Sequence, residues 1–217
     1  MARLFYRPLK VAAIVTIFFS LIESLGAQAM MKGASPGAAP AMKPANQMSL
    51  AGTIGAINGN TVFLSTADGQ ARPIVVGKDT FILEWRLADL ASIQPGDALG
   101  VAAAKASDGA LTATVINIFP PEFWQVARKG QFPMDNGQVM TNAQVERLGS
   151  DVEGNTLYLK YEMLVAAIAV PATAVIHRGY VAKLSDLKLG MAVTVRGLPG
   201  ADGTFAASSV GFDASEK

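Results

Sequence analysis

The 217-residue chain has no cysteine and only one histidine, His177. Without thiols it can form no disulfide, no thiolate metal site, no Cys-linked haem and no Cys nucleophile, nor carry a lipid on an N-terminal Cys. With one imidazole it cannot build a multi-His metal centre. Charge is sparse at 16%, against 51% hydrophobic residues and a mean hydropathy of +0.32. Disordered chains show the opposite balance, so a packed fold is expected over most of the length.

Long apolar runs are also missing. Val11 to Ile22 is uncharged and mostly apolar, but it is shorter than the roughly 20 residues a membrane span needs. Arg3, Arg7 and Lys10 precede it, Glu23 ends it, and Ala27-Gln28-Ala29 follows. That order predicts a Sec signal peptide over residues 1–29, cut after Ala29, and a periplasmic or secreted protein with no stable span after cleavage. Arg3 and Arg7 are not adjacent, which argues against the twin-arginine route. Removing 1–29 leaves 15 basic and 16 acidic residues. Arg128-Lys129 is the only adjacent basic pair, so nucleic acid is not an expected partner.

Residues 30–48 are mainly Gly, Ala, Pro and Met, with Pro36, Pro40 and Pro44 every fourth residue. This composition reads as a flexible tether. Its thioethers at Met30, Met31, Met42 and Met48 are soft ligands, which keeps Cu(I) handling open as a minor reading.

What the chain does have is an internal repeat. Gly59-Asn60-Thr61 recurs as Gly154-Asn155-Thr156, and Leu87-Ala88-Asp89-Leu90 as Leu184-Ser185-Asp186-Leu187. Pro95-Gly96-Asp97 aligns with Leu189-Gly190-Met191, and Asp108-Gly109-Ala110-Leu111 with Asp202-Gly203-Thr204-Phe205. Two modules are expected, 49–118 and 140–213, with a tail at 214–217.

Each module reads as five strands. In the first, Gly52–Ile57 turns at Asn58-Gly59-Asn60 into Thr61–Ser65, with Val62 and Leu64 on one face. Arg72–Val76 and Thr80–Leu83 form a third strand bent near Gly77. A short helical turn spans Leu87–Ile93, then Ala98–Ala104 and Leu111–Ile118 pair across Asp108-Gly109. In the second, Val193 and Val195 point inward and Thr194 and Arg196 outward. Strand order and the helical turn between strands 3 and 4 predict an all-β chain: two small five-stranded OB-like barrels in tandem. The leucines around Asp89 and Asp186 are expected to plug the barrels, with those aspartates capping the helical turns.

The run Leu184–Met191, then Val193-Thr194-Val195 and Asp202–Ala207, resembles an uncharacterised bacterial exported-domain family, a domain of unknown function built as OB-like β-barrel repeats. Ile93–Asp97 with Asp108-Gly109 resembles it more loosely. The resemblance implies a barrel in the cell envelope and supplies no catalytic residues. The second module departs at Tyr161-Glu162-Met163-Leu164, where no glycine marks a hairpin and longer strands are expected.

Residues 119–139 join the modules yet hold Phe119, Phe123, Trp124 and Phe132, a third of the aromatics after residue 29. Large apolar groups do not suit a linker, so the connector should pack, as a wedge between the barrels. A binding surface of Phe123, Trp124, Arg128 and Phe132, extended by Trp85 and Arg86, is compatible with that role.

Catalytic patterns are thin. His177 is the one usual general base and sits at a strand end. Gly33-Ala34-Ser35-Pro36-Gly37 spells a nucleophile elbow but lies in the tether, without the strand and helix that geometry needs. Asp151, Glu153 and Glu162 read as a solvated edge. No catalytic residue, metal or cofactor is assigned. The leading expectation is a non-enzymatic binding or adaptor protein of the envelope, with a protein or extended polymer as ligand. An enzyme acting on an envelope polymer and a copper-handling protein are the alternatives.

Overall fold

The computed structural model describes residues 48–134, 136–151, 154–200 and 202–214. The expected signal peptide, the tether up to residue 47, the Gly-x-Ser-x-Gly match and Glu153 lie outside them. Among the described residues no helix is long and apolar enough to cross a membrane.

Twelve strands carry the fold of the described residues: β1 (Met48–Asn58), β2 (Thr61–Thr66), β3 (Ala71–Leu87), β4 (Ala98–Lys105), β5 (Leu111–Ile118), β6 (Gly130–Pro133), β7 (Val139–Asp151), β8 (Gly154–Tyr161), β9 (Leu164–Val170), β10 (Val175–Ala182), β11 (Ala192–Pro199) and β12 (Phe205–Asp213). Among the described residues the one α-helix, α1, is Pro121–Val126, and 3-10 turns lie at Leu90–Ser92 and Leu184–Asp186.

β1, β2, β3, β12 and β11 pair in that order, and β11 returns to β1, closing a five-stranded barrel. Its core holds Ile54, Leu64, Ile74, Val195 and Phe212. Val62, Leu64, Val193 and Val195 are all buried, as the alternation requires. The remaining strands run β4-β5-β9-β8-β7 and back to β4, with β5 and β9 joined by the single bridge Thr112↔Ala169. Leu99, Val101, Ile116, Leu157 and Ile168 fill this second ring. β10 ties the two together, antiparallel to β3 and parallel to β5.

This corrects the expected tandem. β1 does not close with β4 and β5; it pairs with β11, while β4 pairs with β7. Each ring therefore takes three strands from one half of the chain and two from the other. The physical reason lies in β3, which bulges between Val76 and Phe81, at the expected bend, and continues for 17 residues in all to Leu87. Its first half pairs β2 and its second half pairs β10, so the chain leaves the barrel before β4 begins.

The helical turns move with the exchanged strands. Ala88 and Leu90 pack on the second ring and Leu184 on the barrel. Leu87 does not plug anything: it is the last residue of β3 and 81% exposed. Asp186 accepts a hydrogen bond from the Lys183 N–H (2.8 Å), whereas Asp89 makes no side-chain cap. Arg178 Nη2 instead pins the first turn, donating to Ser92 O at 2.8 Å.

At Tyr161–Leu164 the strand is longer, eight residues in β8 against six in β2, yet a hairpin is still made. Tyr161 pairs Leu164 across a tight turn, with Glu162 at φ 52. A side chain tolerates that left-handed conformation at a cost, which is why no glycine announced the hairpin.

Candidate binding site

The connector is built rather than loose. Pro121 starts α1, where a missing N–H costs nothing, and the Ala127 N–H closes the helix on Phe123 O. One turn and a half of helix throws Phe119, Phe123 and Trp124 together. Phe119 is 8% exposed and lies between the others: 5.2 Å from Phe123 edge-to-face and 6.5 Å from Trp124 stacked. Two rings from β3 complete the group, Trp85 at 6.2 Å from Phe119 and Phe81 at 5.5 Å from Phe123. Phe123 and Trp124 are half-buried, and the Lys129 Nζ sits 5.1 Å over the Trp124 ring. Such a cation over an indole face is favourable by about 0.5–1 kcal/mol at exposed sites.

Glycines on neighbouring strands make room. A Cβ on Gly100 would meet Phe119 Cζ at 2.4 Å, one on Gly179 would meet Trp85 Cζ3 at 2.7 Å, and one on Gly211 would meet Trp85 Nε1 at 2.9 Å. Beneath Phe119 runs a polar row in strand register: His177 (β10), Asn117 (β5), Gly100 (β4), Asn142 (β7). Asn142 Nδ2 donates to Arg128 O at 2.7 Å and holds the connector down. Asn142 Oδ1 and Asn117 Nδ2 are the two buried side-chain atoms without a hydrogen bond among the described residues. One is an acceptor and the other a donor, and both flank Gly100. Neither asparagine was singled out from the sequence. Asn117 follows an apolar run in β5 and Asn142 lies in the mixed strand β7, and only register sets them beside the same glycine.

His177 is buried too, at 6% exposure. Burial lowers its pKa, with the Asp213 charge opposing in part.

Of the six residues expected to bind, the structure brings Trp85, Phe123 and Trp124 into one cluster. Arg86 leaves it: its Nε bonds Glu84 Oε1 at 2.9 Å, and its guanidinium lies 4.5 Å over Tyr180. Arg128 and Phe132 form a separate pair, 4.2 Å from guanidinium to ring centroid. Phe132 packs with Ala102, Val115, Met134 and Met140. β6, not the helix, carries Phe132, and strand pairing with β7 turns it away from Trp124.

No curated protein and no solved structure matches the chain. Residues 44–117 match the family model of a domain of unknown function, DUF5666, a stretch that reaches from β1 almost to the end of β5 and so supplies strands to both rings.

Proposed function

We propose that this is an exported, non-enzymatic binding or adaptor protein of the bacterial envelope, working in the periplasm on a protein or an extended polymer. On this reading the chain holds two copies of one OB-like domain that have exchanged their last two strands. The observation that carries it is the Trp124 ring, half-buried on α1 and faced by Lys129. Phe119 beneath is fully engaged in packing, so the helix is held rigidly while Phe123 and Trp124 keep part of their surface open. Rigid aromatic anchors beside a cation are the side chains that dominate binding energy where they occur. Trp85 supports the ring cluster from β3, and Arg86 with Tyr180 and Arg128 with Phe132 add cation-on-ring pairs at the surface.

The test is crosslinking and affinity capture from intact periplasm, with wild type beside Trp124→Ala. The variant must keep its circular dichroism spectrum. A defined partner held by wild type and lost by Trp124→Ala supports the reading. The same partners with both proteins, or none, removes the site from α1.

A further inference from the structure

The first four residues of β1 form an open sheet edge. β2 ends at Thr66, opposite Gly52, so residues 48–51 pair with β11 on one side and no described strand lies on the other. Ile54 N–H donates to Met191 O (2.9 Å), and Ile54 O accepts from Gly190 N–H (2.8 Å), so both groups face the β11 side. Alternation directs those of Leu50 and Gly52 the same way, and those of Ser49 and Ala51 outward.

β7 has such an edge, and there it is covered. Residues 139–144 pair with β4 as residues 48–53 pair with β11, and Val145 bonds Gly96 and Asp97 as Ile54 bonds Gly190 and Met191. Elsewhere the rings differ; the likeness used is confined to these two strands and loops. The outward side of 139–142 carries β6, which precedes β7 in the chain, with Pro133↔Val139 through Gly130↔Asn142. This hairpin closes with Met134 N–H on Gln138 O (2.8 Å) and Gly137 N–H on Met134 O (3.0 Å). The hairpins at 66–70 and 106–110 close by the same two bonds. In each, the fourth residue of the turn is a glycine at positive φ: Gly69 at 75, Gly109 at 90 and Gly137 at 78.

The same spacing before Met48 sets a turn on Lys43-Pro44-Ala45-Asn46-Gln47 and a strand on Ala39-Pro40-Ala41-Met42. Three residues suit those places. Pro44 takes the second position of the turn, where its fixed φ is favoured. Asn46 takes the fourth, and Asn is, after Gly, the residue that most readily enters the left-handed region. Pro40 falls opposite Leu50, whose backbone groups face β11, so its nitrogen points away from β1 and no ladder bond is lost. Ala41 and Ala39 fall opposite Ser49 and Ala51 and keep their N–H groups. One residue departs: Ala45 lacks the side-chain oxygen with which Asp68, Asp108 and Asn136 accept the N–H two residues on. We infer that residues 39–42 add to the outward edge of β1 as an antiparallel strand, through a turn at 43–47, so that the chain covers this edge with its own preceding segment. A five-residue loop costs little closure entropy, which favours this segment over any separate chain. The expected tether then ends at residue 38, and β1 is denied to strands of other molecules. None of the aromatic cluster takes part, so this inference stands apart from the α1 site.

The experiment reads amide hydrogen exchange at Ser49 and Ala51 in the full chain and in three variants. Both amides are expected to exchange at least about tenfold more slowly in wild type than in Ala41→Pro, since a paired strand edge exchanges only on opening and a proline at 41 removes a pairing N–H. Pro40→Ala, one residue away, should leave the slow exchange in place, and Asn46→Gly should slow it further. Wild-type exchange as fast as that of Ala41→Pro overturns the inference. So does an equal loss of protection in Pro40→Ala, which contradicts the register. So does slow exchange that survives Ala41→Pro, which gives the edge to another occupant, a second copy if it depends on protein concentration.

Discussion

Ile54 and Val145 make matching contacts in two different rings: each turns its N–H and C=O onto a loop that the other half of the chain supplies, Ile54 onto Gly190 and Met191, Val145 onto Gly96 and Asp97. Loops 96–97 and 190–191 lie in the two halves of the chain, but they swap places between them. The molecule is thus locked through its middle rather than strung as two beads.

A cut in the connector should leave the halves together. With a site-specific protease sequence inserted between the exposed Arg128 and Lys129, cleaved protein is expected to elute as one species and to separate only in denaturant. Free halves in native buffer would contradict the strand exchange. The reason is burial: each half leaves the other's core open on two strands, and apolar area exposed at about 25 cal/mol per Å² makes separation costly.

Gly100 and Gly197 should differ in their tolerance of a methyl group. At Gly100 a Cβ would meet the tip of the Phe119 ring at 2.4 Å, and a side chain can turn aside. Gly100→Ala is expected to cost about 1–3 kcal/mol and to change Trp fluorescence as the ring stack shifts. At Gly197 the Cβ would lie 1.9 Å from the Ala206 carbonyl oxygen, which is backbone. Gly197→Ala should cost more. Chemical denaturation of the two variants gives the order.

Phe119→Ala and Trp124→Ala should separate packing from surface. Phe119 is buried, and its truncation is expected to cost about 3–5 kcal/mol. Trp124 keeps part of its ring in solvent, so its truncation should cost less and leave the circular dichroism spectrum intact. Equal losses would make Trp124 a core residue.

His177 should give stability a pH dependence. Its folded pKa lies below the ordinary 6.5, because burial disfavours the imidazolium. Between the two values the unfolded chain binds more protons, so stability is full above about 6.5 and falls as pH drops toward the folded pKa. His177→Leu should flatten thermal melting midpoints across that window. An unchanged slope would place the dependence elsewhere.

Local features are legible along the chain because they are local. Alternation identified most strands and their buried faces, Val62 with Leu64 and Val193 with Val195. Gly59, Gly109 and Gly203 mark turns at positive φ, as their Asn-Gly and Asp-Gly settings demand. The excess of aromatics in 119–139 announced a packed connector, and Phe119 is packed. The hairpin at Glu162 went unmarked because a turn can be made without its usual residue.

Partner choice was decided only in three dimensions. A period of two fixes which face a residue takes, but strands of like pattern in the two halves of the chain offer one another the same edges, so pattern alone cannot say whether β1 closes with β4 or with β11. The long β3 breaks that tie: past its bulge between Val76 and Phe81 it pairs β10 and carries the chain out of the barrel. The same holds for the site. Trp85 and Trp124 are 39 positions apart and meet through Phe119, while Asn117 and Asn142 become neighbours only because β5 and β7 both pair with β4 around Gly100.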